Sequence, residues 1–203
     1  ALWPKATGPE GACSLTADYV VSDVKPTTQN YFSSRMDHQI SPNHSLFGRY
    51  TIDDSKFTDP NAIPMFGTED RIRNQYITLE ERSILSPIMI NAVRLGFSRS
   101  AQFEDLYAIA PPAASLSFVT GRPIGGINVG SGITSLSGYD SSSPRHYILN
   151  ILQAYDDFTW EKGTHSLKIG AQWERFNFNR TAVSRLGGAF QFSNWQGFLT
   201  NAS

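Results

Sequence analysis

Apolar and polar residues alternate along two neighbouring segments, residues 31–40 and 45–54. In each segment most large apolar residues occupy one set of alternate positions, and charged residues such as Arg35 and Arg49 occupy the other. Successive side chains of a β-strand point to opposite faces, so the alternation predicts two strands that each have one mainly apolar face. The apolar positions are Phe32, Met36, Ile40, Leu46, Tyr50 and Ile52.

The residues between these two segments have the composition of a tight turn. Pro42 fixes its own φ angle and has no backbone donor, and Asn43 tolerates left-handed backbone geometry. Ser41 and His44 complete the connection. The two strands are therefore predicted to form a hairpin joined at residues 41–44.

The same alternation recurs in four later segments and predicts two further hairpins. The segments are residues 72–84, 90–99, 147–160 and 165–178, with short turns at 85–88 and 161–164. Proline and glycine are frequent between the hairpins, which predicts long irregular connections at 55–70 and 100–145. A short strand is also expected at 18–21, and the aromatic stretch 190–198 is expected to begin another strand.

The order of short and long connections indicates the fold class. Strands of about ten residues, with short turns at one end and long loops at the other, are typical of a transmembrane β-barrel. The fold class predicted is all-β: antiparallel up-and-down hairpins forming part of a transmembrane β-barrel wall with long extracellular loops. Phe97, Trp160 and Trp173 lie near strand ends, where interfacial aromatic residues are expected. A soluble β-sandwich gives the same alternation and is the alternative.

Composition excludes several classes of function. Seventeen basic and eighteen acidic residues leave the chain near neutral, so a nucleic acid is not an expected partner. No apolar run is long enough for a transmembrane helix, and the first residues are not those of a signal peptide. A signal peptide removed earlier, or a chain that is part of a longer protein, would account for this start. The single Cys13 excludes an internal disulfide.

Candidate chemistry is sparse. The sequence has no nucleophile elbow, phosphate-binding loop or zinc-protease motif, so we expect neither an enzyme nor a cofactor. Glycines at 121–132 lack the spacing of a dinucleotide site, and the adjacent carboxylates Glu80-Glu81 and Asp156-Asp157 should face opposite sides of a strand. No catalytic, cofactor-binding or metal-ligating residue is assigned. Two weaker metal candidates are the scattered histidines and a calcium-type cluster, namely His38, His44, His146 and His165, and Asp53, Asp54, Asp59 and Asn61.

Several stretches resemble Oar-like TonB-dependent outer-membrane receptors, in the same order along the chain. The resemblance covers roughly residues 30–200. The stretches are Arg35-Met36-Asp37-His38-Gln39 with Ser45-Leu46-Phe47-Gly48-Arg49-Tyr50-Thr51, then Leu85-Ser86-Pro87 with Asn91 and Arg94-Leu95-Gly96-Phe97, then Phe158-Thr159-Trp160 with Lys162-Gly163 and His165-Ser166-Leu167-Lys168-Ile169-Gly170, and Gly188-Ala189-Phe190-Gln191-Phe192.

The resemblance implies a transporter in the bacterial outer membrane. Receptors of this family have a barrel of about twenty-two strands, plugged by a separate domain and driven by the TonB complex. This chain holds about six strands, too few to close a barrel. We therefore expect residues 1–28 to be a linker and residues 29–203 to be an internal segment of the barrel wall. Its expected partners are outer-membrane lipid, the rest of the barrel with its plug domain, and the TonB complex through regions outside this chain.

Two functions are compatible with these observations. The first is uptake of a large, scarce solute, with ligand contacts expected in the loops at 55–70 and 100–145. The alternative is a soluble or surface-attached β-sheet protein that binds a glycan or another protein, or that self-associates. If the first is right, one face of the strands should contact lipid, at Leu46, Tyr50, Ile52, Val93, Leu95, Phe97, Leu167, Ile169 and Trp173. Arg49, Arg94, Lys168, Gln172 and Glu174 should share the opposite, lumenal face.

Overall fold

The structure is a computed structural model that describes residues 2–9, 16–130, 132–136, 138 and 144–200. In this part of the chain the elements are strands and two short helical segments, and neither helix is long and apolar enough to cross a membrane. The strands are β1 (Thr27–Ser41), β2 (His44–Pro60), β3 (Phe66–Ser86), β4 (Met89–Ala108), β5 (Gly126–Val129), β6 (Arg145–Lys162), β7 (His165–Ala182) and β8 (Ala189–Phe192). A 3₁₀ turn spans Ala114–Leu116, and α1 spans Trp195–Thr200.

Six strands form one large sheet in the order β1-β2-β3-β4-β6-β7, and every neighbouring pair is antiparallel. Tight turns at 42–43, 87–88 and 163–164 join the strands at one end of this sheet. Gly163 has φ of 60°, a left-handed conformation that glycine adopts without strain. The connections at the other end are longer, at 61–65 and 109–144. The predicted all-β, up-and-down hairpin architecture is confirmed.

The predicted loop at 55–70 is wrong for most of its length. β2 continues to Pro60 and β3 begins at Phe66, and their pairing runs without interruption to the Pro60–Gly67 pair. Pro60 is tolerated because it occupies the last position of the strand, where a missing donor costs least. Charged residues on the two strands contact each other here in place of an apolar pattern, as Lys56 does with Glu69 at 2.7 Å.

The predicted loop at 100–145 is also wrong in part, because β4 extends to Ala108 and β5 lies within the stretch. The described residues 18–21 form no strand; instead the carbonyl of Asp18 accepts hydrogen bonds from the backbone of Thr7 and Gly8. The aromatic stretch 190–198 does contain a strand, β8. However, β8 pairs in parallel with β5 and is followed by α1, so it is not a further strand of the large sheet.

The two faces of the large sheet have the predicted composition. Leu79, Leu95, Ala154 and Trp173 pair in one row across β3, β4, β6 and β7, so their side chains share a face. We call this the apolar face. The register places all nine residues predicted for the lipid side on it, and all five predicted for the lumenal side on the opposite, polar face. This prediction is confirmed.

The apolar band runs obliquely across the strands. On β2 the band extends from Leu46 to Ile52, and Leu46 is aligned through the register with Ala171 of β7. On β7 the band instead begins at Leu167, which lies four residues nearer the short turns than Ala171. Between β2 and β7 the band therefore shifts by four residues, about 13 Å, along the strands. These two strands are four strand spacings apart, about 19 Å in all. The band is therefore inclined by roughly 35° from the perpendicular to the strands, which corresponds to the tilt of strands from the barrel axis in membrane barrels.

A compact loop cap covers the end of the sheet opposite the short turns. Its core joins the start of β3 to β5 and to residues that flank β5, such as Ile124 and Leu136. Trp3 donates a hydrogen bond from Nε1 to the carbonyl of Thr134 at 3.0 Å. Gly125 is required here because a Cβ on it would lie 1.9 Å from the carbonyl oxygen of Gly188. The buried core residues of the loop cap are Ile63, Met65, Phe66, Ile124, Ile127, Val129 and Leu136.

We predict that the 203-residue chain alone does not remain monomeric in water. β1 and β7 form the two edges of the sheet, and unpaired strand edges recruit other strands. The exposed apolar face adds a patch larger than soluble monomers tolerate. Light scattering in detergent-free buffer should show association. A concentration-independent mass of 22.5 kDa would contradict this prediction.

Candidate functional site on the polar face

Ion pairs lie along the middle of the polar face, one within a strand and one between neighbouring strands. On β1, Arg35 donates two hydrogen bonds of 2.7 Å to the Asp37 carboxylate. The Arg35 guanidinium also lies 4.2 Å from the centre of the Phe47 ring on β2. On β3 and β4, Arg94 Nε donates to Glu80 Oε2 at 2.7 Å. Facing strands thus hold charged side chains in fixed positions along this face.

A hydrogen-bond network around Glu174 continues the polar face onto β6 and β7. Its Oε1 atom accepts hydrogen bonds from Gln153 at 2.8 Å, Tyr155 at 3.0 Å and Gln172 at 2.7 Å. A carboxylate that accepts three hydrogen bonds is held in one orientation. The middle of the polar face therefore carries oriented polar groups on both halves of the sheet, the kind of surface that a hydrophilic solute can pass along.

Buried charges lie where the polar face meets the loop cap. Asp70 on β3 and Glu104 on β4 are paired in register and are only 6% and 8% exposed. Arg145 on β6 donates from Nε to Glu104 Oε1 at 3.0 Å, and its Nη2 contacts Glu104 Oε2. Glu104 raises the pKa of the Arg145 guanidinium through this bidentate pair.

Asp70 has no such bidentate partner among these charges, and its pKa is raised. Burial is the main cause, and the neighbouring Glu104 carboxylate adds to it. A hydrogen bond with Thr68 and the charge of Arg145 act in the opposite direction, whereas Asp59 adds slightly to the increase. The folded state therefore favours the protonated form of Asp70, so ionisation of its carboxyl group disfavours the folding of this part of the sheet.

We predict that Asp70→Asn slows hydrogen exchange at the start of β3 severalfold at pH 7. A raised folded-state pKa contributes stability at low pH that is lost as pH rises through that pKa, so the advantage of the asparagine variant should disappear on acidification. The measurement is amide exchange in lipid vesicles at both pH values. Asp53→Asn, on the same face but outside the buried cluster, is the control. Equal effects of the two substitutions would contradict the prediction.

The structure separates the residues of the weaker candidate sites. Asp53 and Asp54 point to opposite faces of β2, and Asp59 pairs with Lys25 at 2.6 Å. His44 contacts Glu81 and Ser83, and His146 contacts Asp105. Within the described residues, no three His, Cys, Asp or Glu side chains are placed to hold a metal ion.

The adjacent carboxylates face opposite sides, as predicted. Glu80 pairs with Arg94 on the polar face, whereas Glu81 accepts a hydrogen bond from Ser83 on the apolar face. The Asp70–Glu104–Arg145 cluster is not predicted from the sequence, because all three residues fall in segments whose pattern indicates loops. The signal available was the alternation beyond Arg99, where Ala101 and Phe103 occupy one set of positions and Ser100, Gln102 and Glu104 occupy the other.

Comparison with known proteins gives one family. A family model described as "Outer membrane beta barrel domain" matches residues 1–203, the whole chain. A search of curated proteins gave no match.

Proposed function

From the premise that this chain belongs to the outer membrane β-barrel domain family, we propose that it forms part of the wall of a TonB-dependent transporter. Membership places the protein in the bacterial outer membrane, where the apolar face contacts lipid. The polar face then lines the lumen, and the loop cap lies on the extracellular side, opposite the short turns. Uptake of a large, scarce solute is the proposed activity, and binding and transport without catalysis are the proposed chemistry.

The observation that carries the proposal is the oriented polar lining beneath a packed loop cap. An open diffusion pore needs a clear passage, whereas here the buried residues Phe66, Ile127 and Leu136 fill the space around the extracellular end of β3. A receptor that binds a solute and admits it only when energised is expected to have such a closed end. The connections at 61–65 and 109–144, which are shorter than predicted from the sequence, are the proposed ligand-contacting segments.

The likeness to Oar-like receptors supports energy coupling through TonB. The residues that carry it most densely, Arg35–Gln39 and Ser45–Thr51, form the facing halves of the β1–β2 hairpin. Their side chains supply the Arg35–Asp37 pair and the Phe47 ring on the lumenal face. The TonB complex and a plug domain are proposed partners that act through regions outside this chain. The alternative of a soluble sheet protein does not fit an outer-membrane family.

The proposal can be tested on the intact protein isolated from outer membranes. It should bind the purified periplasmic domain of TonB and give no steady conductance in a planar bilayer, because the lumen is closed at rest. An outer-membrane porin is the control and should conduct without binding TonB. Steady conductance together with no TonB binding would contradict the transporter. No conductance and no TonB binding would favour a surface-attached, self-associating protein instead.

A further inference from the structure

A groove on the lipid-contacting side of the sheet contains an unusual concentration of cations. Its volume is about 680 Å³, and it lies on β2, β3 and β4 with β1 at its margin. Four of its lining residues are basic, and one, Asp54, is acidic. We call it the basic groove and define it by its cations, Lys56, Arg71, Arg73 and Arg99.

All four cations lie on the apolar face. Arg73 pairs in register with Asp54 and Ala101, and Arg71 pairs with Lys56 and Phe103. Arg99 is two residues beyond Phe97 on the same strand, so its side chain shares the face of Phe97. Residues on this face cannot reach the lumen, and the basic groove is therefore separate from the polar lining proposed for transport.

The position of the groove along the strands matches the level of lipid headgroups. The last apolar residues of the band on β2, β3 and β4 are Ile52, Ile77 and Phe97, and the groove begins directly beyond them, toward the loop cap. The loop cap is the extracellular end, so the groove faces the outer leaflet. Ala101, which is buried, and Phe103 give it an apolar floor against which the upper part of an acyl chain can pack.

The cations remain available for a ligand although most of them have protein partners. Arg73 contacts Asp54 at 2.6 Å, Arg71 contacts Asp105 at 2.8 Å, and Lys56 contacts Glu69 at 2.7 Å. Each of these three cationic side chains is more than half exposed, and exposed ion pairs contribute little and exchange readily. The contact described for Arg99 is with a neutral group, the Asn150 amide oxygen, at 3.1 Å.

On β2, β3 and β4, the edge of the apolar band near the short turns differs in charge from the edge that holds the groove. On β2, β3 and β4, which the structure describes completely, the apolar face carries His44, Glu81 and Asn91 near the short turns and no lysine or arginine. On β6 and β7 the same face carries single cations, Lys162 near the short turns and Arg175 outside the groove. The grouping of four cations in one groove at the outer-leaflet edge, with one acidic residue in its lining, indicates an anionic ligand in that leaflet.

We infer that the basic groove binds the phosphate groups of an outer-leaflet lipid headgroup. Guanidinium groups form bidentate hydrogen bonds to phosphate, and three of the four cations are arginines. The apolar face is already in contact with lipid, so the groove continues an established interface and a lipid occupies it without diffusion from solution. This inference rests on the outer-membrane location and does not depend on TonB-driven uptake.

Binding can be measured on the intact protein in detergent micelles after bound lipid has been removed. The probes are a diphosphorylated glycolipid, a glycolipid with the same acyl chains but no phosphate, and inorganic phosphate. The diphosphorylated glycolipid should bind most tightly. Arg73→Gln with Arg99→Gln should weaken its binding by roughly tenfold or more, because each cation near a membrane surface contributes several-fold in affinity.

Three further variants make the result specific. Arg49→Gln with Arg82→Gln removes the same charge from the lumenal face and should leave lipid binding unchanged. Arg73→Lys with Arg99→Lys keeps the charge but loses the bidentate geometry, and should give a loss of affinity intermediate between the unmodified protein and the double glutamine variant. Lys56→Gln alters a more than half-exposed side chain and should give a smaller loss even if the double glutamine variant does not fold.

Two results would overturn the inference. The first is equal glycolipid affinity for the unmodified protein, the Arg73→Gln/Arg99→Gln variant and the Lys56→Gln variant. The second is binding of inorganic phosphate as tightly as the diphosphorylated glycolipid, which would identify a site for a free anion.

Discussion

Replacing Leu95 by arginine is expected to lower the free energy of unfolding in lipid by about 2–4 kcal/mol. Leu95 lies in the middle of the apolar band, between Val93 and Phe97 along β4 and between Leu79 and Ala154 across the sheet. Its side chain is half exposed in the protein, and in the membrane that exposed half contacts hydrocarbon. A guanidinium at this depth has to shed water or distort the bilayer, which is the source of the cost.

The matched control is Ser98→Arg, three residues further along the same strand. Ser98 pairs with Tyr76 and Ile151 on the lumenal face, where an added arginine stays in contact with water. Its cost should be far smaller. Reversible unfolding in lipid vesicles, with denaturant, measures both. Equal penalties at positions 95 and 98 would contradict a sheet that separates lipid from lumen.

Replacing Leu136 by alanine is expected to destabilise the loop cap by about 2–5 kcal/mol. Leu136 is completely buried, and its backbone exchanges two hydrogen bonds of 2.9 Å with Ile127 of β5. Truncation removes apolar contacts and leaves a cavity in a core of only a few residues, which has little capacity to repack. The loss should appear as faster amide exchange in β5 and β8, because the cap can open without unfolding the sheet.

Leu199→Ala is the control for this substitution. Leu199 belongs to α1 of the same cap, but it is 66% exposed, so the same chemical change should have little effect. Exchange in β3 below the cap, near Ile77, should be unaffected by either variant. If Leu136→Ala leaves exchange in β5 unchanged, the cap is not held together by the core described above.

The sequence was sufficient to predict the sheet and its two faces. Alternation along a strand shows which of its two faces is apolar, and Val93, Leu95 and Phe97 mark that face on β4. The three tight turns were also predictable, because Pro42, Pro87 and Gly163 restrict or relax the backbone at the required points. The family match agrees with this outcome at the level of an outer membrane β-barrel.

The positions at which the strands begin and end were harder to predict than the presence of the strands. Beyond the membrane the two faces no longer differ in polarity, so the pattern weakens although backbone pairing continues from Asp54 to Pro60. The loop cap could not be predicted, because its core joins residues as distant as Met65 and Ile127. The Asp70–Glu104 cluster and the basic groove depend on the register between strands, which single-strand patterns do not fix.

The most direct test of the account is the environment of successive side chains along β4 in the outer membrane. Single nitroxide labels at positions 93–98, in a protein with Cys13 replaced by serine, report accessibility to oxygen and to a water-soluble nickel complex. Labels at 93, 95 and 97 should be accessible mainly to oxygen, and labels at 94, 96 and 98 mainly to the nickel complex. The same accessibility at odd and even positions, or the reverse alternation, would contradict the assignment of the two faces to lipid and lumen.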